Sequence, residues 1–446
     1  MTDYTQTDST REAITNIRKG SESYTKCLTE ITLNSNESFK RMKKANPAAK
    51  IDDGVLIRAD SRGEFFEIID HFEGIADSEK RGMEILKIKG KSQETHTEDS
   101  RSAMGRGMSD VLFRNLNTPS LVGWRRNGRT FVYQAQWIKD PITREPVRTF
   151  VDQTDQTSPH FNPELIKKIE KLIPNTGTYI KFSWKQADEG ESFPTLDEIK
   201  KSLGYYYELK NILSGNEFIY RVEYIDGQGN ITNDTISFVK YDVIEIASMG
   251  KKTLKIKLRD EFHKRCKCWH EQSEHNSSGC NVCKKCNGYN NDYDISIISA
   301  KIFKSKTRLN KAGETQTQGV YFEGEHNQVY CLENLYDLDG KYIESIYYYV
   351  IVVLSADAKN YMMNMNSNEI GEQILSSDRH GFEHSKQNRL YHESRSILKP
   401  WIEQYLKNDS SIVKQNKHYR LLLFQIIGIK RILLFQPNNN KHFKKG

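Results

Sequence analysis

A mostly apolar stripe with helical spacing runs through the first part of the chain. It consists of Tyr24, Leu28, Ile31, Ser35, Phe39 and Met42. Steps of three and four residues place such side chains on one face, so the pattern predicts an amphipathic helix over residues 21–44. A second stripe of the same helix carries Glu30, Asn34 and Glu37 at positions i, i+4 and i+7.

Two pairs of strand-like runs predict β-hairpins. The second run of the first pair leads straight into Asp70, and the second pair flanks Asn127-Gly128, the strongest short-range hairpin turn. The four runs are Val55–Ala59, Glu64–Ile69, Leu121–Arg125 and Thr130–Gln136.

The remaining pattern mixes helices and strands without an internal repeat. Further predicted helices are Met108–Phe113, Pro163–Ile173, Leu196–Leu203 and Asn388–Leu406. Further predicted strands are Tyr179–Trp184, Glu217–Tyr224, Thr235–Val239, Thr253–Leu258, Asp294–Phe303, Gly319–Phe322 and Tyr342–Leu354. This order predicts an α+β fold whose first part is an α/β sandwich of roughly 180 residues.

Composition narrows the class of protein. The 446 residues carry 66 Lys+Arg against 59 Asp+Glu, a net charge of +7 that allows a nucleic-acid partner without requiring one. Runs such as Tyr347–Ala356 are shorter than the roughly 18 apolar residues of a membrane span. The start, Met1–Thr10, is polar and lacks the apolar core of a secretory signal. We therefore expect no membrane association and a cytoplasmic location.

Five of the seven cysteines lie close together, a pattern that favours metal over disulfides in a reducing compartment. The favoured set for one tetrahedral Zn²⁺ is Cys266, Cys268, Cys280 and Cys283. Cys286 could replace one of these, or the 280–283–286 run could bind with one upstream ligand. The lysines and arginine around this knuckle form either a nucleic-acid contact or a solvated face.

Four separated pieces have the chemistry to hold a nucleoside triphosphate. The Asn34 amide oxygen suits Mg²⁺, and a carboxylate one turn earlier, Glu30, is placed to deprotonate an attacking water. Asp70, at a strand end, can accept a hydrogen bond from an adenine amino group, and Gly74 lets the backbone approach the base. The remaining pieces are Gly105-Arg106-Gly107, which opens a helix towards phosphates, and Thr178 beside a glycine.

These pieces resemble the boxes of the GHKL (Bergerat-fold) ATPase superfamily. Leu28–Ser35 looks like the first box, and Ile68–Ile75 looks like the second, with His71 and Phe72 in place of the usual Asn and Gly. The glycine run before Met108 resembles the third box, and Gly177-Thr178 the last. The resemblance implies ATP and Mg²⁺ as cofactors, Glu30 as general base and Asn34 as the Mg²⁺ ligand.

The resemblance also divides the chain. It implies an ATP-binding domain over 11–187 and a transducer-like α+β domain over 195–407. The cysteine cluster adds a zinc-binding insertion at 263–288 within the second domain, and residues 408–446 form a basic segment. In the chaperone, MutL, MORC and topoisomerase branch, a loop returns a basic residue to the γ-phosphate. Arg379 is the candidate here, with Lys304, Lys306 and Lys386 as competitors. This branch implies an ATP-gated homodimer that acts on DNA or on a partner protein.

Two other functions remain open from sequence. One is a nucleotide-binding adaptor without hydrolysis, which recruits partners through the zinc knuckle and the basic C-terminal segment. The other is a kinase of the histidine-kinase type, disfavoured because we find no phosphoacceptor helix ahead of the first box. The apolar runs Leu421–Ile429 and Ile432–Phe435 have no evident partner within the chain.

Overall fold

The protein is a mixed α/β structure built on two mixed sheets, as seen in a computed structural model. The residues described are 4–6, 23–48, 54–87, 107–142, 144–184, 192–215, 218–254, 256, 295–307, 309, 319–324, 329–333, 347–365, 374, 381–382 and 388–406. The α+β class expected from the sequence is confirmed at this level.

In these ranges nine strands form the first sheet, in the order β1-β6-β5-β4-β7-β3-β2-β8-β9. The strands are β1 (Tyr4–Gln6), β2 (Val55–Asp60), β3 (Phe65–Asp70), β4 (Ser120–Arg126), β5 (Arg129–Lys139), β6 (Pro146–Asp152), β7 (Gly177–Ser183), β8 (Tyr220–Ile225) and β9 (Ile231–Thr235). Neighbouring strands run antiparallel except β2 and β8, which are parallel.

The second sheet has six strands within the described part of the chain, in the order β10-β12-β15-β13-β14, with β11 paired to β12. These strands are β10 (Val243–Met249), β11 (Lys252–Thr253), β12 (Ser296–Ser305), β13 (Gly319–Gly324), β14 (Val329–Glu333) and β15 (Tyr348–Leu354). β13 and β15 are parallel, and the other pairs are antiparallel.

Helices cover both sheets. They are α1 (Tyr24–Ala45), α2 (Glu79–Lys87), α3 (Gly107–Leu112), α4 (Pro163–Leu172), α5 (Leu196–Gly204), α6 (Lys210–Leu213), α7 (Ala356–Met365) and α8 (Arg389–Leu406). A 3₁₀ turn, Tyr207–Leu209, precedes α6. None of the described helices is long and apolar enough to cross a membrane.

Local signals in the sequence set several of these boundaries. Ser23 caps α1, since its hydroxyl accepts a hydrogen bond from the Lys26 amide at 3.2 Å. The Asn127-Gly128 turn has positive φ at both residues, 52° and 73°, as the two-residue hairpin between β4 and β5 requires. Both predicted hairpins are present in the expected places.

The first sheet has two differently covered faces. On one face, α1 packs its apolar stripe into a core with strand residues such as Phe66, Ile68 and Phe182. On the other face, α4 packs Ile169 against Ile69 and neighbours. Alternate residues of β3 therefore point into different cores, and Asp70 lies on the same side as Phe66 and Ile68 because strand side chains alternate.

Two predicted strands differ from the structure. The run predicted as a strand over Thr235–Val239 is strand only at Thr235, where β9 ends. Beyond it, the amides of Phe238 and Val239 donate to the carbonyls of Leu213 and Gly204 at 3.3 and 2.8 Å. The chain therefore leaves the sheet to satisfy carbonyls at the ends of α6 and α5. The second difference concerns the strand predicted over Thr253–Leu258. Among its described residues, only Thr253 belongs to a strand.

The first sheet continues past the predicted end of the ATP-binding domain at residue 187. β8 and β9 lie within the predicted second domain, yet they extend this sheet, because β8 pairs with β2 and β9 pairs with β8. Helix α5 packs on α1 and contributes Ile199 and Leu203 to the same core. The domain division itself stays a prediction, but the hydrophobic unit around the first sheet reaches at least to Ile236.

Candidate functional site

The candidate site lies where α1 crosses the end of β3. Asp70 is the last residue of β3 and is 4% exposed. Its register partner on the neighbouring strand β7 is Thr178. Two of the four sequence pieces, separated by more than a hundred residues, are therefore adjacent, and α1 supplies the third.

Three donors hold the Asp70 carboxylate. The Ser35 hydroxyl of α1 donates to Oδ2 at 2.8 Å. The backbone amides of Thr178 and Phe72 donate to Oδ1 at 3.2 and 3.3 Å. Burial raises the pKa of Asp70 to about 6, and these hydrogen bonds oppose the rise because they favour the ionised form.

An ionised carboxylate offers about four acceptor positions. Among the described residues, Asp70 uses two on Oδ1 and one on Oδ2. One acceptor position, on Oδ2, is thus without a donor among the described residues. This is the hydrogen-bonding capacity that a single amino group of a ligand requires.

Two glycines allow the backbone to close around Asp70. A Cβ on Gly177 would lie 2.0 Å from the Asp70 carbonyl oxygen, so only glycine fits there. Gly74 has φ +77°, and a Cβ there would lie 3.1 Å from the carbonyl oxygen of Arg125 and 3.2 Å from that of Gly177. The loop after β3 therefore packs directly on the start of β7 and the end of β4.

The two departures from the second-box pattern have structural roles. Phe72 is fully buried and packs against Phe39 and Phe218, with ring centroids 5.4 and 4.9 Å away. His71 Nε2 donates to the Leu172 carbonyl at the end of α4, 2.9 Å away. The two residues that replace the second-box Asn and Gly thus tie the loop to α1 on one side and to α4 on the other.

The predicted hydrolytic pair lies on α1, next to Ser35. Asn34 precedes Ser35 and is half-buried, and its Nδ2 is buried without a hydrogen-bond partner in the described part of the chain. An amide in this condition fits a site that awaits a polar ligand, since buried polar groups are normally paired. Glu30, also half-buried, lies one turn earlier on the same stripe.

The third box is described only in part. Gly107 is the first residue of α3, which packs against α1. Gly105 and Arg106 lie outside the described residues. Helix α3 therefore begins in the chain segment predicted to contact phosphates. It packs against α1, the helix that carries Glu30 and Asn34.

Other predicted site residues are not described. Arg379 and the zinc candidates Cys266, Cys268, Cys280, Cys283 and Cys286 lie outside the described residues. Within the described ranges, no group of three His, Cys, Asp or Glu side chains is placed to hold a metal ion. Close to Arg379 in sequence, Phe382 is held on the second sheet, where its amide donates to the buried carboxylate of Glu333.

The sequence analysis did not predict the roles of several residues at this site. The sequence analysis places Ser35 in the buried stripe and in the first box but predicts no role for its hydroxyl, although a serine in an apolar stripe is itself a sign of a buried hydrogen bond. Glu73 also contributes: its amide donates to Ser38 Oγ at 3.0 Å, and its carboxylate pairs with Arg41 and Arg126. No local pattern marks such long-range pairs.

Comparison with known proteins gives no relative from which to transfer a function. No protein-family model matches the chain, and no curated protein matches it. Function is therefore inferred from the geometry around Asp70.

Proposed function

We propose that the protein is a Bergerat-type ATPase that binds ATP with Mg²⁺ and hydrolyses it. The observation that carries this proposal is the Asp70 carboxylate. It is buried, held by Ser35, Phe72 and Thr178, and left with an open acceptor position beside the close-packed glycines Gly74 and Gly177. A buried carboxylate with spare acceptor capacity is costly unless a donor completes it.

Adenine supplies a suitable donor. Its exocyclic amino group can give one hydrogen bond to Oδ2 of Asp70, and the loop at Gly74 lets the backbone approach the plane of the base. The helix that provides Ser35 also carries Asn34 and Glu30, successively farther from Asp70 towards the helix N-terminus. The base would then lie at Asp70, and the phosphates would extend along α1 towards Glu30.

The chain's own groups can perform the hydrolysis in this arrangement. When bound, Mg²⁺ neutralises charge on the phosphate oxygens, and the Asn34 amide would hold it with water and phosphate ligands. Glu30 accepts the proton of the attacking water. By the same resemblance, the glycine run that leads into α3 would contact the phosphates.

The wider role follows by linkage. A triphosphate that gains extra contacts only in a closed state favours closure, and hydrolysis releases it. We therefore extend the proposal to an ATP-gated homodimer acting on DNA or a partner protein, with Arg379 as the γ-phosphate sensor. Zn²⁺ bound by the cysteine segment stays a prediction from the sequence.

Binding and hydrolysis can be tested separately. Glu30→Ala should keep the affinity for a non-hydrolysable ATP analogue within about threefold and reduce phosphate release by 10²-fold or more, because only the base is removed. Asp70→Asn should weaken ATP binding by about tenfold or more, because a charged acceptor is lost. Calorimetric titration measures binding, and steady-state phosphate release measures turnover.

A matched control comes from the same hairpin. Asp60 is also a buried aspartate at a strand end, but it pairs with Arg62 at the opposite end of β2 and β3. Asp60→Asn should leave ATP binding unchanged. Wild-type protein that binds no ATP would refute the proposal. Binding without turnover would favour the nucleotide-binding adaptor, and hydrolysis by Glu30→Ala at the wild-type rate would refute the assignment of the base.

A further inference from the structure

Two arginines converge on one carboxylate beside the candidate base site. Arg41 Nε lies 2.8 Å from Glu73 Oε2, and Arg126 lies 3.0 Å from Glu73 Oε1. Arg41 belongs to the last turns of α1, and Arg126 ends β4 at the Asn127-Gly128 turn. Glu73 therefore joins two elements that are distant in sequence. We call Arg41, Glu73 and Arg126 the arginine clamp.

The clamp acts on the loop that follows Asp70. The Glu73 amide donates to Ser38 Oγ at 3.0 Å, so both the backbone and the side chain of Glu73 are fixed to α1. Gly74 comes next and packs on the Arg125 carbonyl, next to Arg126. The same two partners, α1 and the end of β4, thus hold the loop through Glu73 and enclose Gly74.

The order of contacts along α1 separates the clamp from the hydrolytic groups. Ser35 holds Asp70, while Ser38 and Arg41, farther towards the C-terminus, hold Glu73. Glu30 lies on the other side of Ser35. At about 1.5 Å per residue, the eleven steps from Glu30 to Arg41 span roughly 16 Å of helix, enough to separate the two ends of a nucleotide.

We propose that the arginine clamp positions the base-binding loop, so that the site for adenine is formed before the nucleotide arrives. This inference rests on the proposed ATP-binding function and adds three positioning residues to it. A loop held in its bound conformation avoids the ordering cost that binding would otherwise include. The clamp therefore acts on affinity for the base and leaves the chemistry at the phosphate end unchanged.

The exposure of the three side chains supports a local role. The side chains of Arg41, Glu73 and Arg126 are 39%, 22% and 28% exposed. Ion pairs this accessible to water contribute little to the free energy of unfolding. A large change in ATP affinity on breaking them would consequently report on loop position and not on loss of the fold.

The test compares Glu73→Gln with Arg126→Gln, which break the clamp from either side. Each should raise the Kd for ATP about five- to twentyfold and raise KM in parallel, while kcat stays within twofold. Arg41→Lys, which keeps the positive charge, should raise the Kd for ATP less than either of these two variants does. Inorganic tripolyphosphate, which has no base, should compete for the site equally well in wild-type and variant proteins.

Arg62→Gln is the matched control. It breaks the ion pair between Arg62 and Asp60 at the far end of the hairpin and should change neither Kd nor kcat. Thermal unfolding identifies any variant that fails to fold. If one of Glu73→Gln and Arg126→Gln does not fold, the other provides the test of the clamp. Wild-type protein that binds no ATP would refute the proposed function itself. If the wild-type protein binds ATP but both folded clamp variants keep its KM, the role of the clamp would be refuted and the proposed function would stand. An equal loss of affinity for ATP and for tripolyphosphate in the variants would refute that role in the same way.

Discussion

At the scale of single residues, Asp70 has the most informative environment in the described part of the chain. The Ser35 hydroxyl and two backbone amides donate to it, yet burial still raises its pKa to about 6. In a site made only for stability, a neutral amide would avoid this cost. A carboxylate kept here is better explained by a ligand that needs a charged acceptor.

The raised pKa predicts how stability changes with pH. The folded-state pKa of about 6 exceeds the ordinary aspartate pKa of 3.8, so the folded protein retains this proton to a higher pH than the unfolded chain does. The contribution of Asp70 to stability is therefore lost as pH rises from about 4 to about 6, by up to about 3 kcal/mol. Relative to Asp70→Asn, the wild-type free energy of unfolding should fall over this window in urea titrations.

Asp60 is a control because its pKa is shifted in the opposite direction. Burial acts to raise its pKa, but the hydrogen bonds from Arg62 and Gly63 lower it overall. Relative to Asp60→Asn, wild-type stability should fall as pH is lowered. A wild-type curve parallel to that of Asp70→Asn between pH 4 and pH 7 would contradict the assignment of a raised pKa. ATP affinity should also decline below pH 6, where Asp70 becomes protonated.

At the scale of elements, the site is made by β7 and α1 meeting at the end of β3. The apolar stripe predicts α1 almost completely, and the hairpin signal predicts β2 and β3. No local signal states that β7 pairs with β3 in the register that joins Thr178 to Asp70. That register depends on Gly177, whose lack of a side chain lets the two backbones approach.

Gly177→Ala tests this dependence. The added Cβ would lie 2.0 Å from the Asp70 carbonyl oxygen, and φ is +156°. Overpacking and backbone strain together should lower the free energy of unfolding by about 2–4 kcal/mol. The variant should also lose ATP binding, because Thr178 can no longer donate to Asp70. Urea denaturation and calorimetric titration measure the two effects.

Gly227→Ala is the control for a glycine without such a neighbour. A Cβ at Gly227 meets nothing within 4 Å in the β8–β9 turn, so its effect should stay within about 0.5 kcal/mol. An equally small effect at Gly177 would show that β3 and β7 can separate without cost, contrary to the register seen in the structure.

At the scale of the whole molecule, a cluster of tyrosines joins the two sheets. Tyr207 lies in the 3₁₀ turn that contacts α1, and its ring packs against Tyr321 of the second sheet, with centroids 4.1 Å apart. The Tyr207 hydroxyl donates to the buried carboxylate of Glu323 and accepts from Lys210 at 2.9 Å. Through Tyr207, this junction connects the 3₁₀ turn that contacts α1 with the second sheet.

Tyr207→Phe should destabilise the junction. The change removes one donor from buried Glu323 and one acceptor from Lys210, at a cost of about 1–3 kcal/mol in the free energy of unfolding. Tyr224→Phe, the same change on a half-buried tyrosine of β8, is the control and should cost less than about 0.5 kcal/mol. Equal costs at the two positions, measured by urea denaturation, would argue against an energetically important junction.

The sequence by itself determined the local structure and part of the candidate site. The spacing of apolar residues and the residue types at turns, which act over a few residues, predict α1, both hairpins and the α+β class. They also placed Glu30 and Asn34 on one helix stripe and Asp70 at a strand end. These features depend on neighbours in sequence, so a single chain suffices to predict them.

Only the tertiary structure decided which of these pieces meet. The pairing of Thr178 with Asp70, the hydrogen bond from Ser35 and the arginine clamp on Glu73 all join residues far apart in sequence. So does the addition of β8 and β9 to the first sheet, beyond the expected domain boundary. Such contacts form through burial and register, which depend on how the whole chain packs and leave no local pattern.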